Sequence, residues 1–214
     1  ASGSGAVTTI NTATISAPTL TSSSPVAQYV VGGTTFGIAT FKLSTAAVGT
    51  NATVREMRFS TVGTDAIESI TVGGITSVVS NGEVTRVSGL SIPVGSTGTD
   101  VPVTVKFSGF SGSTTGGNLQ ASISTVQVGV QYVEATSGSG TVVTNTTGAT
   151  SSAMTLVASK PTVTVSSVQG GTLILGAENK VGEFTVTADA NGKIAVGSTT
   201  MNLSAVGITG VEFT

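Results

Sequence analysis

Val101-Pro102-Val103-Thr104-Val105-Lys106-Phe107 is the stretch whose reading decides the fold class of this chain. Its four odd-numbered positions are apolar and alternate with proline, threonine and lysine, the period of a strand with one face buried. Working outward, runs of the same character recur between glycines, prolines and Asn-Gly pairs. They fall at 7–15, 26–31, 36–43, 52–60, 67–72, 75–79 and 83–87 on one side, and at 119–133 on the other. No window of eleven or more residues carries a helical period, and β-branched residues dominate. Many short strands with no intervening helices predict an all-β sandwich. In the 119–133 segment Leu119, Ala121 and Ile123 share one parity, whereas Val126, Val128, Val130 and Tyr132 share the other, so a bulge near Ser124-Thr125 is expected. Asn81-Gly82 and Asn191-Gly192 each carry a hairpin signal. The residues expected in the core are Phe41, Met57, Phe59, Val103, Val105, Phe107, Ile123, Phe184 and Val186.

The chain also repeats itself. Pro18-Thr19-Leu20 returns as Pro161-Thr162-Val163, and Ile38-Ala39-Thr40-Phe41-Lys42-Leu43 returns at the same offset as Val181-Gly182-Glu183-Phe184-Thr185-Val186. Slightly later, Phe59 to Gly63 matches Leu203 to Gly207 and Ile67-Glu68 matches Val211-Glu212. Ser2-Gly3-Ser4-Gly5 returns as Ser137-Gly138-Ser139-Gly140. The expected organisation is an N-terminal linker and strand at 1–17, a complete sandwich at 18–136, a linker strand at 137–160 and a partial second repeat at 161–214. Repeated modules of this kind belong to arrays in which each unit buries surface against the next.

Composition narrows the function. Thr, Ser and Gly make up about 45% of the 214 residues, and charged residues only 8%, against roughly 25% in ordinary soluble domains. The hydrophobic content of 38% argues against disorder. With eight basic residues and a net charge of -2, a nucleic-acid surface is not expected. There is no Cys and no His, which excludes disulfides, Cys/His zinc sites, Cys nucleophiles and His-based triads. No apolar run of 18 residues is present, so no membrane-spanning helix is expected. The small residue at Ala1 is compatible with cleavage of a signal peptide.

The Ser-Gly-Ser-Gly-Thr-Val stretch at 137–142, the Pro-Thr-Val-Thr-Val opening at 161–165 and Val-Gly-Glu-Phe-Thr-Val-Thr-Ala-Asp-Ala at 181–190 resemble tandem Ig-like repeats of secreted bacterial surface proteins. More broadly the chain resembles the Thr/Gly-rich β-sandwich subunits of surface layers and of pili polymerised by strand donation. The resemblance implies an Ig-like β-sandwich followed by a second, incomplete related β module. It also implies an extracellular structural role, and it supplies no catalytic residues.

Candidate sites are few. Asp189-Ala190-Asn191-Gly192 has the opening of a calcium loop but lacks downstream ligands, and reads as a turn. Seven charged residues fall between 55 and 86, namely Arg55, Glu56, Arg58, Asp65, Glu68, Glu83 and Arg86. A glycosidase-type pair of carboxylates could be drawn from Glu56, Asp65, Glu68 and Glu83. A solvated sheet face, or an inter-subunit charge patch, is the better reading, because Met57 and Phe59 take the core parity there. Asn51, Asn145 and Asn202 begin N-glycosylation sequons, of which Asn145 is expected to be the most exposed. Gly32-Gly33-Thr34 and Gly170-Gly171-Thr172 read as turns rather than phosphate loops. With no Trp, and Tyr29 and Tyr132 scattered, a glycan-stacking platform is not favoured.

No catalytic, cofactor-binding or metal-binding residue is assigned, and the chain is not expected to be an enzyme. The leading expectation is an extracellular structural subunit, polymerising head to tail with copies of itself as a filament, pilus or surface layer. Its N-terminal strand at 6–15, or the linker strand at 141–156, would complete a sheet in a neighbouring subunit. The rival expectation is an adhesin or glycan-binding stalk repeat of a longer cell-surface protein.

Overall fold

In the computed structural model, the described residues are 13–80, 83–109, 124–166, 174, 176–180, 182–189, 194–198 and 200. In chain order the strands are β1 (Thr19–Leu20), β2 (Tyr29–Val31), β3 (Thr35–Leu43), β4 (Asn51–Val62), β5 (Ile67–Val72), β6 (Ile75–Val78), β7 (Thr85–Gly95), β8 (Thr99–Phe107), β9 (Ser124–Ser137), β10 (Val142–Asn145), β11 (Ala149–Thr150), β12 (Met154–Val157), β13 (Thr162–Ser166) and β14 (Glu183–Thr187). One 3-10 turn covers Thr64–Ala66. Among the described residues there is no α-helix, and the fold is an all-β sandwich as the alternating runs predict.

The first layer has the order β1-β3-β8-β5-β6, and the second the order β2-β12-β9-β4-β7. Strand β8 shows why the alternation decides the fold. Val101, Val103, Val105 and Phe107 are buried, whereas Pro102 and Lys106 are exposed on the outer face. The proline is tolerated although β8 pairs with both β3 and β5. Facing β8 from the second layer, β4 buries Ala52 and Val54, then Met57 and Phe59, and β9 buries Val126, Val128 and Val130, then Val133 and Ala135. Each change of parity coincides with a register shift, at Arg55 in β4 and at Gln131 in β9. The parity change within β9 lies at Gln131, whereas the bulge expected near Ser124-Thr125 concerns the change of parity between Ile123 and Val126 and falls partly outside the described residues. Leu119 to Ile123 lie outside the described residues.

Strands β5 and β6 form a two-residue hairpin, in which Val72 pairs with Ile75. Gly73 and Gly74 between them both have positive φ, as a tight turn matching strand twist requires. The Asn81-Gly82 signal has a different outcome. Its two residues lie outside the described set, and the flanking strands pair with other partners, β6 with β5 and β7 with β4. That connection passes from one layer to the other.

Two expected boundaries are corrected. The segment 137–160, expected as a linker strand that completes a neighbour, completes its own sandwich instead. Its strands β10, β11 and β12 run antiparallel along the edge of β9 opposite β4, and Met154 and Leu156 lie in the core. Ser137-Gly138-Ser139-Gly140 is the turn joining β9 to β10, closed by Gly140 N–H donating to Ser137 O at 2.9 Å. The physical reason is edge satisfaction: the returning segment pairs the second row of peptide groups that the 14-residue β9 presents, which would otherwise be an exposed edge. The end of the expected N-terminal donor strand is docked as well. Ala13 and Ile15 are buried, Ser16 N–H donates to Ser44 O, and Asn145 Nδ2 donates to Ile15 O at 2.9 Å. Residues 1–12 lie outside the described set.

The core expectation holds for Phe41, Met57, Phe59, Val103, Val105 and Phe107, all fully buried. Phe184 is 40% exposed and Val186 is only half-buried. Both sit on β14, which pairs with β13 in a two-stranded sheet. With no opposing layer among the described residues, alternation alone does not bury them. Ile123 lies outside the described residues.

Two substitutions check this packing. Gly63 has φ +71° and a Cβ there would stand 2.6 Å from the Thr125 carbonyl oxygen, whereas Gly74 at φ +82° faces open space. Gly63→Ala should therefore lower the thermal midpoint clearly more than Gly74→Ala, whose cost is the left-handed strain of about 1–2 kcal/mol. Met154→Ala should cost about 2–5 kcal/mol as a core truncation. A negligible effect of Met154→Ala would contradict a sandwich that includes β12.

Candidate functional site

The outer face of the second layer carries a polar constellation built by three adjacent strands. On β4 the bulge at Arg55 breaks the alternation, so that Glu56 pairs across to Glu134 on the outward side while Met57 returns to the core. Arg58 stands directly opposite Arg86 of β7 on one side and Tyr132 of β9 on the other. The result is a chain of contacts across the sheet. Arg58 Nε donates to Glu56 Oε1 at 2.7 Å, and Arg86 Nε donates to Glu56 Oε2 at 2.6 Å, with the Arg86 Nη2 group also paired to that oxygen. The Arg58 guanidinium lies 4.2 Å from the centre of the Tyr132 ring, and the Tyr132 hydroxyl donates to Glu134 Oε2 at 2.8 Å.

Glu56 is only 3% exposed although it lies on an outer face, because the two arginines cover it. The expectation of a solvated carboxylate is thereby corrected. A carboxylate removed from water needs compensating donors, and here both oxygens have one. Burial pushes the Glu56 pKa upward, but the hydrogen bonds and charges of Arg86 and Arg58 outweigh it and hold the group below the ordinary carboxylate value. The hydrogen bond that Arg58 donates to Glu56 raises the Arg58 pKa, and the one that Tyr132 donates to Glu134 raises that of Tyr132.

The other carboxylates do not join this group. Glu68 lies on the outer face of the first layer, bonded to Lys106 Nζ at 2.8 Å. Glu56 and Glu68 thus sit on opposite outer faces of the sandwich and do not face each other across a cleft. Asp65 belongs to the 3-10 turn, and Glu83 is exposed before β7. Asp189 follows β14, its backbone N–H donating to Ser159 Oγ at 3.0 Å, while Asn191 and Gly192 lie outside the described residues. Among the described residues no group of three or more potential metal-ligating side chains converges.

Of the sequons, Asn51 is exposed at the start of β4. Asn145, expected to be the most exposed, is half-buried with both amide atoms engaged: Nδ2 donates to Ile15 O and Oδ1 accepts from Thr147 N–H. Its role is to hold the N-terminal segment against β10. Asn202 lies outside the described residues. Gly32-Gly33-Thr34 forms the turn between β2 and β3, with Thr34 Oγ1 donating to Val31 O, and Gly170-Gly171-Thr172 lies outside the described set. Tyr29 is well exposed on β2, whereas one face of Tyr132 is taken by Arg58. A shallow groove lies at one end of the second layer, lined by Asn51, Thr53, Pro93, Gly95, Thr136 and Ser137.

No family model matches the chain, and no curated protein matches it. Among solved structures, a cohesin module from a family 33 glycoside hydrolase of Clostridium perfringens is similar with a TM-score of 0.39 and 14% identity, covering 67% of this chain and 98% of that module. Among the described residues no helix is long and apolar enough to cross a membrane.

The Glu56 geometry fixes a pH dependence. A carboxyl whose folded pKa is depressed adds stability above its unfolded pKa, and that contribution is lost as pH falls through the folded value. Glu56→Gln should therefore destabilise the sandwich at about pH 7, by about 1.5–3 kcal/mol for hydrogen bonds to a charged group. The gap to the parent protein should shrink as both are taken to about pH 2. Urea midpoints measured across that range check it; a gap independent of pH would contradict the ion-paired carboxylate.

Proposed function

We propose that this chain is a non-enzymatic, extracellular structural protein built from Ig-like repeats, whose second unit is completed by a strand from a neighbouring copy in a filament, pilus or surface layer. The observation that carries this reading is the pairing of β13 with β14. In the first unit Pro18-Thr19-Leu20 leads into β1, which pairs antiparallel with the Phe41-Lys42-Leu43 end of β3. In the second, Pro161-Thr162-Val163 leads into β13, which pairs antiparallel with Phe184-Thr185-Val186 of β14. Carried over by the repeat offset, Thr19↔Lys42 becomes Thr162↔Thr185, and the observed partner of Thr162 is Thr187. The slip is two residues, which preserves the faces of both strands.

The difference between the units supplies the motive for assembly. Strand β3 has β1 on one edge and β8 on the other, whereas among the described residues β14 pairs with β13 alone. Val163, Val165 and Phe184 on these two strands are exposed, with Val165 at 77%. A two-stranded sheet is marginal in water, and an open edge beside apolar side chains invites a further strand. An added strand of the Val-x-Val-x-Val type that β8 supplies to β3 would pair the edge and cover the apolar residues in one step. Repeated head to tail, such a contact makes an open fibre.

Light scattering and electron microscopy over a concentration series test the reading. The chain should form elongated assemblies, and Val163→Lys with Val165→Lys should weaken assembly at least tenfold while leaving the sandwich melting transition in place. A chain that stays monomeric at all concentrations would overturn the subunit reading in favour of a stalk repeat completed within its own polypeptide.

A further inference from the structure

All three arginines of this chain, Arg55, Arg58 and Arg86, lie on β4 and β7 of the second layer, while its five lysines lie elsewhere in the sequence. In a chain with so few charges, this concentration of one residue type sets that face apart. Arg58 and Arg86 are directly opposite each other on adjacent strands, a placement that costs free energy unless an anion lies between them. Glu56 supplies one such anion from within the sheet. It uses the Nε sides of both guanidinium groups, so the two side chains are fixed in orientation yet remain 42% and 63% exposed. Arg55 is exposed at the bulge beside them. Counting Glu134, three positive charges meet two negative ones, and the group keeps one net positive charge.

We propose that this face is a docking surface for an acidic polypeptide segment, one of whose carboxylates sits across the outward N–H groups of Arg58 and Arg86. Guanidinium groups bind carboxylates through planar paired donors, and prior fixation by Glu56 removes much of the ordering cost that a free arginine would bear on binding. The Arg58 guanidinium, 4.2 Å over the Tyr132 ring centre, gains a further cation–π contact that restrains it. A protein segment fits this surface better than a sugar. The Tyr132 ring is already covered by Arg58, so no free aromatic platform is left beside the arginines, and the neighbouring Ser88 and Gln131 are exposed and uncharged. This surface is distinct from the β14 edge and does not depend on polymerisation.

The test uses the full chain and three probes: a ten-residue peptide of alternating Glu and Thr, its Gln-Thr counterpart, and a soluble polyuronate. Arginine side-chain N–H signals are followed by NMR at low ionic strength. The Glu-Thr peptide should shift the Arg58 and Arg86 signals saturably, and the Gln-Thr peptide should not. Arg58→Lys with Arg86→Lys keeps the charge and the pairing with Glu56, and should weaken binding at least tenfold. Arg55→Gln, which breaks no contact to Glu56, should weaken it about threefold without altering the melting transition. Unchanged binding in the double lysine variant, tighter binding of the polyuronate than of the Glu-Thr peptide, or no saturable shift would each overturn the proposal.

Discussion

Strand β9 is paired along both of its edges, and the rest of the sandwich is arranged around that requirement. One edge meets β4 from Ala52↔Ser137 to Val62↔Gln127, and the other meets β12, β11 and β10 in turn. A strand of 14 residues presents two rows of peptide donors and acceptors, and either row left open would template contacts with other chains. The returning segment 142–157 is what closes the second row. Once it lies there, Asn145 is carried to the seam between the layers, where its amide holds the Ile15 carbonyl and fixes the N-terminal segment in place. Backbone satisfaction in one strand thus determines where the chain termini of the sandwich are anchored.

The second constraint is parity. Neither β4 nor β9 keeps a single alternation along its whole length, and each resets it with one extra residue. In β9 the reset at Gln131 lets Val126, Val128 and Val130 share a core with Val133 and Ala135. In β4 the reset has a chemical consequence, since it places Glu56 on the outer face beside Arg58 with Met57 behind it. A charge so covered costs several kcal/mol unless both oxygens are bonded. The two arginines provide that, and in doing so they acquire the fixed geometry on which the proposed docking surface rests.

Much of the sandwich was legible because alternation is a local property. Val101 to Phe107 and Phe36 to Leu43 are strands in the sequence and strands in the structure; the odd positions of the first are all buried, whereas the second resets its alternation at Ile38. Pairing partners are not local, which is why 142–157 read as a linker: its three short strands, broken by turns, carry no pattern that names β9 as their neighbour. Glu56 illustrates the same limit. Its neighbours Arg55 and Arg58 suggested a solvated face, and its burial depends on Arg86, 30 residues away and brought alongside by strand pairing. A signal was nevertheless present, since all three arginines fall within 32 residues of a chain otherwise poor in charge. Phe184 shows the converse. It has the alternation of Phe41, but burial needs a second layer as well as a period.

The proposed internal repeat joins these points. Strands β1 and β13 each pair with a Phe-containing strand, β3 and β14, and among the described residues more sheet surrounds β3 than β14. Amide hydrogen exchange on the dilute monomer and on assembled material probes that difference directly. The account predicts β9 amides protected in both states, and β14 amides exchanging rapidly in the monomer but slowing by at least a hundredfold on assembly. Protection of β14 equal to that of β9 in the dilute monomer would contradict it.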